Sequence, residues 1–121
     1  MSADYDFWKY KKDVPHDDQR VYAALSNGET LEEVQELPVE EIRARVHEVF
    51  SGWDWPDRDN CENPAGNGSF TLFLTPQLVR FDCYGMSEAD INRCFDILTE
   101  EFGCPLYDPQ ISTRFDSWTE V

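Results

Sequence analysis

Two alternating runs joined by Thr75-Pro76-Gln77 restrict this chain more than any other stretch. From Ser69 to Leu74, Phe70, Leu72 and Leu74 alternate with Thr71 and Phe73. From Leu78 to Tyr84, Val79, Phe81 and Cys83 alternate with Arg80 and Asp82. A period of two residues is that of a strand with two different faces, so the spacing predicts a β-hairpin.

The flanking segments supply the other elements. Tyr5 to Lys11 alternates like a further strand, with lysines at its end that suit a sheet edge. Asp17-Asp18 caps a short helix through Val21, Tyr22 and Leu25, which Asn27-Gly28 stops. Thr30 to Leu37 reads as a turn or irregular link. Pro38 opens the clearest helix, where Val39, Ile42, Val46, Val49 and Phe50 recur at helical spacing, and Glu40 and Glu41 lie in its first turn. Ser51 to Gly68, rich in Gly, Pro and Asn, is a long loop of a kind that is mobile or functional. Ser87 with Asp90 forms a capping pair for a helix carrying Ile91, Cys94, Phe95, Leu98 and Phe102, ending at Gly103. A last strand falls at Leu106-Tyr107 or around Ile111 to Phe115.

That order predicts a single α+β domain over residues 1–121, with helices on one face of a four-stranded antiparallel or mixed sheet, ferredoxin-like or related. Trp8, Tyr10 and Phe73 are then candidates for the open face. The alternative is that they pack under the loops.

Charge narrows function. Ten basic residues face twenty-five acids, a net charge of −15. An aromatic content of 14% distinguishes the chain from acidic disordered sequences, so the excess charge belongs to a folded surface. Phosphate contacts need clustered Lys and Arg, which argues against nucleic-acid binding. No apolar run is long enough for a signal peptide or a membrane span, and the expectation is a cytoplasmic protein. Cys61, Cys83, Cys94 and Cys104 form no C-x-x-C pair. In a reducing compartment they are expected as buried small hydrophobes.

Two acidic constellations are candidate contacts. The first is the loop run Trp53, Asp54, Trp55, Asp57, Asp59 and Glu62, where two indoles offer area and four carboxylates attract cations. The bland placement folds Trp53 and Trp55 over the core as lids. The second is Asp96, Glu100 and Glu101, whose acids crowd the C-terminal turn of a helix against its dipole at roughly 0.3 to 1 kcal/mol each. Asp96 and Glu100 are also a like-charge pair at i,i+4. Neutralising these three is expected to raise stability and weaken partner binding, whereas a merely solvated acidic helix keeps its binding.

Catalytic and metal patterns are poor. Asp57-x-Asp59 starts like a calcium loop, but Cys61 and Glu62 stand at its fifth and sixth positions and Gly68 at its twelfth. His16 and His47 have no nucleophile beside them, and Gly66-Asn67-Gly68 precedes a strand, not the helix that a phosphate cradle needs. No cofactor or metal is expected, and no catalytic residue is assigned.

Phe102-Gly103-Cys104-Pro105-Leu106-Tyr107-Asp108-Pro109-Gln110, with Arg114-Phe115 and the opening Tyr5-Asp6-Phe7-Trp8, resembles small acidic bacterial cytoplasmic proteins, some of which are immunity proteins encoded beside secreted toxins. The resemblance implies an inhibitor that covers a toxin's active site, and it transfers no functional residue. Steering toward a basic partner, such as a nuclease toxin, is the parallel physical expectation. The alternatives are a carboxylate-dependent or metal-assisted hydrolase and an accessory protein of a larger assembly.

Overall fold

A computed structural model describes residues 2–115 as strand β1 (Ser2–Phe7), helices α1 (Asp18–Ser26) and α2 (Val39–Val49), strands β2 (Asn60–Glu62), β3 (Ser69–Thr75) and β4 (Leu78–Tyr84), helix α3 (Glu88–Asp96), and strands β5 (Leu106–Asp108) and β6 (Thr113–Phe115). The helix starts follow from side chains that satisfy orphan backbone donors. Asp17 Oδ1 accepts from Arg20 N at 3.3 Å, and Ser87 Oγ accepts from Asp90 N at 3.1 Å. Pro38 stands one residue before α2, with Glu40 and Glu41 in the first turn. At the other end of α2, Arg93 Nη2 donates to Val49 O at 2.7 Å, supplying a cation where the dipole is negative.

The hairpin forms with Ser69 opposite Tyr84 and Thr75 opposite Leu78. Strand β1 pairs with β4, placing Phe7 opposite Val79 and Asp6 opposite Arg80, and β5 pairs with β1. The sheet order is β2-β3-β4-β1-β5-β6, and every neighbouring pair is antiparallel. The architecture is mixed, as expected, but its sheet differs from the four-stranded ferredoxin-like expectation. Strand β2 condenses out of the long loop by pairing with β3, and both candidate segments for the last strand form, as β5 and β6.

The pleat divides the core in two. One face carries Phe7, Phe70, Leu72, Val79, Phe81, Cys83 and Leu106 against Ile42, Val46 and Phe50 below α2, and against Cys94, Ile97 and Leu98. Burying each such aliphatic or phenyl side chain stabilises the fold by about 2 kcal/mol. The other face carries Trp8, Leu78 and Tyr107, covered by Val21 and Leu25 of α1 and by Val34. The expectation of helices on one face is therefore corrected. Trp8 and Leu78 present a second apolar surface, and α1 with the following link buries it. Trp8 is fully buried and Tyr10 nearly so, which leaves neither on an open face.

Helix α3 was expected to run to Gly103, but its regular part stops at Asp96. A π-helical turn, Ile97–Glu101, follows and buries Ile97, Leu98 and Thr99 in succession. Thr99 Oγ1 donates back to Phe95 O at 2.9 Å, and Cys104 N closes the end on Leu98 O at 2.8 Å. Gly103 adopts φ 58°, a left-handed conformation that suits glycine.

Candidate functional site

The acidic loop is held by its own carboxylates. Asp57 Oδ1 accepts from Asp59 N at 2.8 Å and Asn60 N at 2.9 Å, while Asn60 Nδ2 reaches Asp57 Oδ2 at 2.9 Å. These bonds favour the carboxylate and lower the Asp57 pKa. Asp59 pairs with Arg43 of α2 and offers its carbonyl to Leu72 N at 2.7 Å. Asp54 and Glu62 exchange two backbone hydrogen bonds of 2.8 Å, so the loop folds onto the outer edge of β2.

The indoles are half-buried and rest on the core, as in the lid placement. Trp53 meets Phe50 edge-on at 4.9 Å between centroids. Trp55 Nε1 donates to Phe50 O at 3.1 Å, and its ring stacks on His47 at 3.7 Å. His47 Nε2 lies 2.9 Å from Arg58 O; a carbonyl only accepts, so this nitrogen carries the hydrogen. His47 thus stands inside a loop–helix contact.

The second constellation lies on the other flank of α2. Arg45 Nε donates to Glu101 Oε1 at 2.6 Å and the same guanidinium pairs with Glu48, whereas Arg43 faces the loop. Two residues along a helix turn roughly 200°, so Arg43 and Arg45 tie the two acidic groups to opposite sides of α2. The nine candidate residues do not converge on one site. Asp96 and Glu100 are exposed and border a shallow groove with Asn92, Phe95 and Thr99.

What remains around the loop is an open cleft of about 530 Å³, bordered by Asp54, Glu62, Asn63, Ser69 and Tyr84. Asp54 and Glu62 are exposed, and among the described residues neither side chain forms an ion pair. Tyr84, at the end of β4, is 46% exposed and joins their rim. Sequence alternation placed Tyr84 in a strand without showing that it reaches solvent beside the loop.

Sequence reasoning also missed a charged cluster under α1. Asp6 is fully buried and its Oδ1 accepts from Arg80 Nε at 2.6 Å. Arg80 also bonds Ser26 Oγ, lies 3.5 Å from Asp4 Oδ2, and sits near the rings of Tyr22 and Phe73. Tyr22 OH donates to Asp4 Oδ2 at 3.0 Å. Two carboxyls facing one guanidinium leave an excess negative charge in a dry place. Burial, then the neighbouring Asp4 carboxyl, push the Asp6 pKa up to about 8 against the pull of Arg80. The four cysteines are buried thiols, and burial raises Cys61, Cys83 and Cys104 to about 12 and Cys94 well above its ordinary value. Such thiols make poor nucleophiles. Among the described residues no three His, Cys, Asp or Glu side chains gather as a metal-holding group, and no helix is long and apolar enough to cross a membrane.

No protein-family model matches the chain, and no curated protein matches it significantly.

Proposed function

We propose that this chain is an acidic, non-catalytic protein-binding inhibitor, of the immunity type that neutralises a cognate basic bacterial toxin by covering its active or substrate-binding site. The observation that carries the reading is the cleft where Asp54 and Glu62, without ion-pair partners among the described residues, stand beside the exposed ring of Tyr84. Exposed carboxylates in a chain of net charge −15 accelerate encounter with a cationic surface, and a tyrosine with one apolar face and one hydroxyl supplies contact area at low entropy cost.

The geometry narrows the candidate contacts. Asp57, Asp59 and Glu101 are bonded within the fold, and Trp53 and Trp55 pack on it. Asp54, Glu62, Asp96 and Glu100 keep exposed carboxylates for a partner. The test is binding of the purified chain to the basic protein encoded by the neighbouring gene, at low and high salt, with D54N/E62Q and Y84A beside the wild type. The expected outcome is a complex whose affinity drops steeply with salt and weakens roughly tenfold in each variant. A complex indifferent to salt and to both variants, or none at all, overturns the proposal.

A further inference from the structure

All three lysines of the chain, Lys9, Lys11 and Lys12, fall within four positions, and the fold gathers them on one cavity. Their backbone is fixed beyond β1. Gln35 N donates to Lys9 O at 2.8 Å, Lys11 N donates to Glu33 O at 2.9 Å, and Gln35 Nε2 donates to Tyr10 O at 2.9 Å. Between the lysines Tyr10 turns inward, where its ring stacks on His16 at 3.9 Å with planes 10° apart. Lys9 Nζ lies 3.8 Å from the position a Cβ would take on Gly103, which sets the ammonium beside the end of the π-helical turn.

The cavity measures about 430 Å³; Arg114, which donates to Trp8 O, also borders it, and among the described residues Asp13 is the one carboxylate in its lining. Elsewhere five arginines, Arg20, Arg43, Arg45, Arg80 and Arg93, each meet a carboxylate, and among the described residues Arg58 does not. Among the described residues, no lysine does. A chain with fifteen surplus negative charges thus collects its ammonium groups around one hollow instead of using them to neutralise its own acids.

Ligand class follows from three properties. Ammonium groups are compact point charges that suit phosphoryl oxygens. The volume lies in the range of small-molecule sites. Charges farther apart than about 8 Å are largely screened at physiological ionic strength, so an anion that stays inside the hollow is governed by the groups around it, where the lysines outnumber Asp13, whereas a polyanion running onward meets Glu32 and Glu33 and the rest of an acidic surface. We propose that this cavity binds a compact phosphorylated small molecule through Lys9, Lys11 and Lys12. The site is carried by different residues from the protein-binding cleft. In the strand register Ser69, Tyr84 and Ser2 mark one end of the sheet, and Phe7 leads to Lys9 at the other.

Calorimetric titration with pyrophosphate and inorganic phosphate tests this, with a single-stranded oligonucleotide as the polymeric alternative. Saturable binding is expected, tighter for pyrophosphate than for phosphate and weaker at high salt. K9Q, K11Q and K12Q, taken singly, each lower pyrophosphate affinity about tenfold, and R58Q, which removes an exposed arginine elsewhere, leaves it unchanged. Near-identical circular dichroism and melting of the four variants shows that the fold is kept. Lack of saturable binding, equal loss in R58Q, unchanged affinity in the lysine variants, or tighter binding of the oligonucleotide overturns the proposal.

Discussion

Replacing Asp6 by Asn removes one ionisable group from beneath α1 while keeping its shape. The amide oxygen still accepts from Arg80 Nε, and the amide nitrogen takes the place of Oδ2, a buried atom with no hydrogen-bond partner among the described residues. With its pKa held at about 8, against an ordinary 3.8, Asp6 keeps its proton in the folded protein across a range where the unfolded chain has lost it. Folding then takes up a proton, and the Asp6 contribution to stability falls as pH rises from the unfolded value toward the folded one, by the roughly 1.4 kcal/mol per pH unit that one proton carries. The Asn variant lacks this dependence. Chemical denaturation of both proteins at pH 5 and pH 7 is the assay, and the Asn variant is expected to gain about 3 kcal/mol on the wild type between them. Other carboxylates, Asp57 and Glu33 among them, have lowered pKa values and pull the wild-type curve the other way, but they are common to both proteins and cancel in the difference. If the two stabilities run parallel with pH, or the wild type gains on the variant, then Arg80 holds Asp6 ionised and the reasoning about burial fails.

Two further outcomes test the packing. Trp55→Ala removes the ring stacked on His47 and the hydrogen bond to Phe50 O, and denaturant unfolding is expected to show a loss of about 2 kcal/mol, less than for a fully buried indole; an unchanged midpoint refutes the lid assignment. The four thiols are buried with raised pKa values, so a disulfide reagent at neutral pH is expected to label the native protein slowly and all four once denatured. Rapid labelling of any one in the native protein contradicts its placement.

Local chemistry was legible wherever a residue's neighbours in sequence decide its conformation. Asp17 and Ser87 cap the helices they were expected to cap, and the Ser69–Tyr84 alternation forms its hairpin in register. What escaped depends on partners far along the chain. The strand expected from Tyr5 to Lys11 begins at Ser2 and ends at Phe7, and nothing local shows that its Asp6 is buried against Arg80, 74 residues away. Asn60–Glu62 is too short to show a period and becomes a strand only by pairing with β3. The placement of α1 opposite α2 and α3 follows from the register that puts Trp8, Leu78 and Tyr107 on one side, which no local pattern displays. In the site, the acidic run was visible, but not that Asp57 and Asp59 are consumed by the loop's own donors. The lysines were seen as an edge feature, and only the contact with the Glu33–Gln35 link turns them into the wall of a cavity.

Asp54 and Glu62, without ion-pair partners among the described residues, lie beyond one end of the strands, and the three ammonium groups lie beyond the other. On the two proposals made above, a protein docked at Tyr84 and a phosphate held by the lysines would sit at opposite ends of the sheet, and neither would block the other's route in.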